Sequence, residues 1–236
     1  MPDLNFSIES ADILPYGAVP TLLFKLRIDN RTLERVRSIM LKVQLQIPTA
    51  QRPYSEEEQA RLWELFGEPA RWSTTLKPVL WTQTTVLVPA FNDSTLVDLP
   101  IPCTYDFEVV SAKYFHALQE GDIPLEFLFS GTIFYTGSMG LQAAQISWEK
   151  EAHHRLPVGL WRALMDHYFP NSTWLRLRRD IFDRLHAYKM RHGLATWEAA
   201  LEELLPEVTS APADTAVPAT AVSVSGLSAP VLEKVS

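Results

Sequence analysis

Alternation between apolar and polar residues over residues 39–47 constrains the fold of this chain more than any other feature of its sequence. The apolar positions fall at every second residue, and three of the four residues between them are polar: Ile39, Leu41, Val43, Leu45 and Ile47 are separated by Met40, Lys42, Gln44 and Gln46. A strand with this pattern covers a core with one face and meets water with the other. Phe24, Leu26 and Ile28 repeat the alternation.

Further strands are predicted from the same period. They span residues 4–10, 80–88, 94–99, 106–111, 124–135 and 141–148, and turn-forming residues separate them at 91–93, 121–122 and 136–140. Many short half-buried strands joined by polar turns are typical of an antiparallel sandwich. We therefore expect the α+β class, with an antiparallel β-sandwich of immunoglobulin-like or related topology, one inserted helix, C-terminal helices and a disordered tail.

Helix signals place the inserted helix after Ser55. Ser55 and Glu58 have the spacing of a capping box, and Gly67 is a plausible stop. A shorter helical turn is expected over residues 112–118. Beyond Leu156 the apolar spacing becomes helical, so we predict a sandwich domain over 1–156 and a helical segment over 157–206 packed on it. Residues 207–236 have few charges and no aromatic residue, which predicts a disordered tail.

Composition limits the cellular setting. The chain has 236 residues, a net charge of −7 and a single cysteine, which excludes an intramolecular disulfide and is typical of a reducing compartment. It begins without the basic and apolar stretches of a signal peptide, and it has no apolar run of the roughly 20 residues that span a bilayer. We expect a cytoplasmic protein with no membrane partner, and the acidic balance argues against a chain-wide nucleic-acid surface.

Candidate chemical groups form no recognised constellation. Cys103 has no histidine at a meaningful spacing, since the nearest in sequence is His116, and a lone cysteine is most often a small buried apolar residue. His153 and His154 are adjacent, so regular structure points them in different directions, and we expect them in a solvated loop. Asp106 and Glu108 are interpreted as a solvated strand face. The sequence thus predicts no catalytic residue, no metal site and no cofactor.

The segment 173–205 allows two interpretations. In the first it is a helical hairpin, in which Ile181, Phe182 and Leu185 pack against Leu201, Leu204 and Leu205. In the second, residues 173–179 form a strand that precedes helices over 180–192 and from 196, an order that resembles the ribbon-helix-helix DNA-binding family. That resemblance implies a dimer in which Trp174, Arg176 and Arg178 read bases from a β-ribbon. Residues 174–192 carry six Lys or Arg against two Asp, which provides a local positive face.

The chain up to about Leu205 also resembles an uncharacterised family of actinobacterial proteins. The segments that carry this resemblance are Pro15-Tyr16 with Pro20-Thr21-Leu22, LFGEPARW from Leu65, LPIPCTYDFEV from Leu99, KYFHAL from Lys113, LFSGTIF from Leu128, and WLRLRRD with GLATWEAAL. Genes of that family often lie in clusters for high-affinity nickel–iron hydrogenases. The resemblance implies an accessory role in assembling, maturing or docking such an enzyme.

These observations favour a non-enzymatic interaction module, with a hydrogenase subunit or maturation factor as its partner. Aromatic and arginine residues are enriched at protein interfaces, and the residues expected to bind the partner are Trp72, Trp81, Arg176, Arg178, Arg179, Arg184 and Arg191. The alternatives are a dimeric DNA-binding regulator that uses residues 173–205 and a hydrolase of unrecognised type that would depend on Cys103 or His116.

Overall fold

The structure is a computed structural model that describes residues 1–106, 109–138, 140–172 and 176–205. The chain divides into two compact units, Met1–Arg176 and Leu177–Ser236. The division falls twenty residues after the predicted end of the sandwich domain, so the first helix beyond the sheets belongs to the first unit. The predicted disordered tail, residues 207–236, lies outside the described residues.

The first unit contains two antiparallel sheets. One has three strands in the order β1 (Leu4–Ile13), β2 (Thr21–Asn30) and β5 (Ser94–Pro102). The other follows the order β4 (Val79–Val88), β3 (Arg35–Ile47) and β6 (Asp122–Gly137), and β6 then pairs along its free edge with both β7 (Gly140–Gln145) and β8 (Glu151–Pro157). Antiparallel pairing throughout confirms the predicted sheet class.

Aromatic rings join the two sheets face to face. Phe6 of β1 stacks on Phe129 of β6 with ring centroids 4.3 Å apart, and Phe24 of β2 meets Phe127 of β6 edge-on at 5.2 Å. The five apolar residues of residues 39–47 are all buried, whereas Met40 between them is half exposed. The alternation that predicted this strand therefore separates core from solvent, and the protein is an antiparallel β-sandwich.

Gly131 marks the point at which β6 changes partners. Residues 122–128 pair with β8 and residues 132–137 pair with β7. The φ angle of Gly131 is 135°, and a Cβ at this position would lie 2.0 Å from the carbonyl oxygen of Met40 on β3. Glycine is required here because no side chain fits between the two backbones.

Helices close one end of the sandwich. They are α1 (Glu56–Phe66), α2 (Trp72–Thr75), α3 (Val110–Ala117) and α4 (Val158–Tyr168), with short 3-10 turns at Thr49–Gln51 and Pro69–Arg71. The predicted capping box is present, since the Glu58 amide donates to Ser55 Oγ at 3.2 Å and the Ser55 amide donates to Glu58 Oε2 at 3.1 Å. Gly67 follows α1 with φ 71°, which confirms it as the stop signal.

Two sequence predictions in the first unit were wrong. Residues 106–111 were expected to form a strand, but α3 begins at Val110, and Phe107 and Glu108 lie outside the described residues. His153 and His154 were expected in a solvated loop, but they lie in the strand β8. Ala152 and Leu156 of β8 are buried while Glu151 and His153 are exposed, so a period-two pattern was present and two adjacent histidines obscured it.

The described part of the second unit is a helical hairpin of α5 (Arg179–Arg191) and α6 (Trp197–Leu204). Gly193 follows α5 with φ 67°, and Thr196 caps α6 by accepting the Ala199 amide at 3.1 Å. The predicted strand is not found in its described part, because residues 176–178 are in neither helix nor strand and Arg179 begins α5; residues 173–175 lie outside the described residues. No helix in the described ranges has both the length and the apolar character needed to cross a bilayer.

Candidate interaction surface

Trp72 and Trp81 do not offer the exposed aromatic surface that the sequence suggested. Trp72 is only 8% exposed, packs edge-on against Tyr54 and Phe66, and donates its indole N–H to the Gly67 carbonyl at 2.9 Å. Trp81 is half-buried, and its ring lies 4.8 Å from that of Phe115. Trp72 thus packs α2 against α1, and Trp81 packs β4 against α3. Each indole therefore uses much of its apolar surface inside the protein.

The five arginines predicted to bind a partner are all exposed. Arg178 forms an ion pair with Asp180 at 3.0 Å. On α5, Arg184 and Arg191 lie beside a groove of about 470 Å³, and the apolar residues that line it are Ile181, Leu185, Ala187, Tyr188 and Leu204. Residues 181, 184, 188 and 191 share one helix face because they are three or four positions apart.

The hairpin buries little of its own apolar surface. Among residues 177–205, Ala200 alone is fully buried. Phe182 and Trp197 touch with ring centroids 5.2 Å apart, and Lys189 lies over the Trp197 ring at 5.5 Å. Seven large apolar side chains nevertheless remain between 36% and 66% exposed: Leu177, Phe182, Met190, Trp197, Leu201, Leu204 and Leu205. The predicted hairpin packing is therefore incomplete, and short helices of this kind depend on packing for their stability.

Charge is divided between the two helices. α5 contains Arg179, Arg184, Lys189 and Arg191 against two aspartates, whereas α6 carries three glutamates and no basic residue. Neither Arg184 nor Arg191 has an ion-pair partner among the residues that the structure describes. The groove thus combines an apolar floor with two arginines at its rim, and Tyr188 of the groove interacts with Glu203 of α6.

A second concavity lies in the first unit, at the end of the sandwich. This cleft of about 520 Å³ lies among Val19–Pro20, residues 103–106, Phe169 and Arg176. Cys103 lines it, but burial raises the pKa of its thiol to about 12. Because the thiolate is the nucleophilic form of cysteine, Cys103 is poorly suited to the catalytic role weighed for it and packs as a small apolar residue.

The paired histidines point to opposite faces of β8. His154 is half-buried with its ring edge-on to Phe24 at 5.9 Å, and burial lowers its pKa. His153 faces outward, near Glu151 of the same strand and Glu126 of β6. The position of Glu126 beside His153 could not be predicted from the sequence, because the pairing of β6 with β8 joins residues that are 27 positions apart.

The family model for a family of unknown function, DUF6084, matches residues 1–213. The chain belongs to this family. The DUF6084 match runs through residues of both compact units and confirms the expectation of a family without an assigned function. No curated protein matches the chain.

Solved structures give only distant similarities to this DUF6084 protein. The CARDB domain of the PF1109 protein from Pyrococcus furiosus is 14% identical, with a TM-score of 0.27 over 66% of this chain and 87% of that one. A late embryogenesis abundant protein, At2g46140.1, is 11% identical, with a TM-score of 0.31 over 66% and 73%. β-Glucosidase 3B from Thermotoga neapolitana is 14% identical, with a TM-score of 0.24 over 65% of this chain and 17% of its own.

Proposed function

We propose that this protein is a non-enzymatic interaction module whose C-terminal hairpin binds an acidic amphipathic helix of a protein partner. The observation that carries the proposal is the groove between Ile181 and Leu204, which has an apolar floor and two exposed arginines at its rim. Large apolar side chains that stay exposed together mark interaction sites more often than ordinary surface.

The chemistry of the groove selects the kind of partner. An amphipathic helix binds in a groove through apolar side chains at helical spacing. In this groove those side chains would pack against Leu185, Tyr188 and Leu204. Arg184 and Arg191 favour carboxylates on the flank of that helix, because a guanidinium binds a carboxylate in two-point geometry. The three glutamates of α6 would repel a partner that presented its acidic flank on that side, which fixes the orientation.

The partner that we propose in particular is a subunit or maturation factor of a nickel–iron hydrogenase. The support for this choice is the resemblance to proteins whose genes lie near those of such enzymes, together with membership of the DUF6084 family. The role would be accessory, in assembly or docking, and would take place in the cytoplasm of a bacterial cell. No chemical step by this chain is needed for such a role.

The test is affinity purification of the tagged full-length protein from its native cells, with and without nuclease, followed by binding of each purified partner. We expect hydrogenase subunits or maturation factors in both samples. Arg184→Glu and Leu204→Glu should each weaken binding of the purified partner at least tenfold, since one removes an electrostatic and the other an apolar contact of the groove. Arg35→Glu makes the same charge change at an exposed position of the first unit and is the matched control.

Two outcomes would contradict the proposal. If the partner binds the groove variants as tightly as the wild-type chain, the hairpin groove is not the interface. If the recovered proteins are DNA-associated and disappear with nuclease, the DNA-binding alternative gains support. Salt-dependent DNA affinity that is lost in an Arg176→Ala, Arg178→Ala variant would then establish that alternative.

A further inference from the structure

We propose that the outer face of the β6–β8 pair binds a divalent transition-metal ion through Glu126, Glu151 and His153. The three residues offer one imidazole nitrogen and two carboxylate oxygens, and these ligand atoms all lie within 4.8 Å of one another. This site is separate from the hairpin, and it does not depend on the proposed interaction. It also revises the expectation from the sequence that the paired histidines belong to a solvated loop without a metal.

Strand register places the three ligands together. Glu126 and His153 are direct partners in the antiparallel pairing of β6 with β8, and Glu151 precedes His153 by two residues, on the same face of β8. Residues opposite each other across an antiparallel pair have Cβ atoms about 5 Å apart. Because β6 also pairs with β3 on its other edge, the backbone beneath Glu126 is held in place.

The distances suit a metal of zinc size. Zinc binds imidazole nitrogen and carboxylate oxygen at about 2.1 Å, so two ligand atoms in tetrahedral geometry are about 3.4 Å apart. The His153 Nε2 to Glu151 Oε1 distance is 3.5 Å. The other ligand atoms lie within 4.8 Å of one another, so metal binding requires side-chain rotations that shorten these separations by up to about 1.4 Å. The His153 and Glu151 side chains are 57% and 50% exposed, which leaves the other coordination positions to water.

The charges around the cluster also favour a cation. Two carboxylates face one imidazole, so even a protonated His153 leaves an excess negative charge. Within the described part of the chain, the half-buried Glu126 carboxylate has no ion-pair or hydrogen-bond partner. The nearest basic residue on this face of β8 is Arg155, which lies opposite Pro124. A bound dication would compensate both carboxylates at once, and imidazole with carboxylate ligands is a set that zinc accepts.

Such an ion would join β8 to β6 near the middle of their pairing, and β8 leads into α4. β8 pairs with β6 along the part of β6 that precedes Gly131, and the chain passes from Pro157 directly into α4. A ligand that binds only the folded state stabilises it by mass action. We therefore expect the metal to raise the melting temperature as well as to bind in solution.

The experiment uses the full-length chain, stripped of metal with a chelator and then titrated with zinc chloride or cobalt chloride. We expect one ion per chain at saturation by calorimetry, a cobalt absorption spectrum that indicates nitrogen and oxygen ligands, and a melting temperature that rises with metal. His153→Ala and Glu126→Gln should each weaken binding at least tenfold. Both positions face solvent or the sheet surface, so the metal-free melting temperatures should match that of the wild-type chain.

Matched controls come from residues outside the cluster. Glu149→Gln makes the same charge change two residues from Glu151, and His167→Ala removes an exposed imidazole on α4; both variants should bind as the wild-type chain does. The proposal is overturned if no saturable binding is found or if His153→Ala and Glu126→Gln bind normally. It is also overturned if binding is instead lost on His192→Ala, since His192 lies 3.1 Å from Glu203 on the hairpin.

Discussion

Replacing Glu58 with glutamine should destabilise the first unit more than any comparable change on its surface. Glu58 and Arg52 form an ion pair at 2.8 Å, with side chains only 3% and 7% exposed. Glu58 Oε1 also accepts the Gln119 amide at 2.8 Å, and Arg52 donates to the Glu120 carbonyl at 2.9 Å. The pair therefore ties the start of α1 to the segment that follows α3.

The magnitude follows from the burial of both charges. Glutamine keeps the volume of Glu58 but leaves the Arg52 guanidinium buried without an opposite charge. Removal of one partner from a buried pair costs about 3–5 kcal/mol, a large part of the about 5–15 kcal/mol by which domains are stable. The double variant Arg52→Met, Glu58→Leu leaves no unpaired charge. It should lose about 1 kcal/mol for the capping box and about 1 kcal/mol for the hydrogen bond of the Gln119 amide, so it should still be more stable than Glu58→Gln alone.

Urea unfolding followed by near-ultraviolet circular dichroism measures these differences, since Tyr54 and Trp72 lie close by and give the signal. The control is Asp98→Asn, which breaks the ion pair with Lys25 at 2.6 Å, where the side chains are 58% and 39% exposed. Exposed pairs contribute about 0–1 kcal/mol. The buried ion pair does not have the expected effect on stability if Glu58→Gln costs no more than Asp98→Asn, or if the double variant is less stable than Glu58→Gln.

Three further outcomes are expected. Gly131→Ala should lower the free energy of unfolding in urea by more than about 3 kcal/mol, because a Cβ would clash with the Met40 carbonyl. At Gly159 a Cβ would meet no atom, so Gly159→Ala should leave the free energy of unfolding unchanged or raise it by up to about 1 kcal/mol. Thiol reagents at pH 8 should label Cys103 only after unfolding, and rapid labelling of the folded chain would contradict this. The free energy of unfolding should also fall as pH rises from about 8.5 towards 12, because the thiol ionises at a lower pH in the unfolded chain than in the folded one. His154 has a lowered pKa, so stability should fall as pH drops below about 6.5, and His154→Gln should reduce that slope in a pH series of urea midpoints; an unchanged slope would contradict it.

Local patterns in the sequence were enough to predict several elements of the fold. The alternation over residues 39–47 gave the face of β3 that is buried, because side chains alternate across any strand whatever its neighbours are. The start and end of α1 were predicted from Ser55, Glu58 and Gly67, because helix capping depends on residues within one turn of each other. The second helix of the hairpin was likewise predicted from residue 196, and Thr196 is its cap.

Non-local pairing decided the features that sequence reasoning missed. The strand β8 was hidden because His153 and His154 interrupt the visible alternation, and only its pairing with β6 showed which imidazole faces outward. Burial of Trp72 depends on its contacts with Tyr54 and Phe66. Nothing in the local sequence separates an indole that fills a gap in the core from one on the surface.

The two candidate sites differ in the same way. Charge and helical spacing are properties of neighbouring residues, so the basic, helical character of the C-terminal segment could be predicted without a structure. Tertiary packing, in contrast, forms the groove that Leu204 and one face of α5 line, and it places Glu126 opposite His153. Both features depend on contacts between segments that are far apart in the sequence. The free energy of those contacts is shared among many residues, so no short segment predicts them.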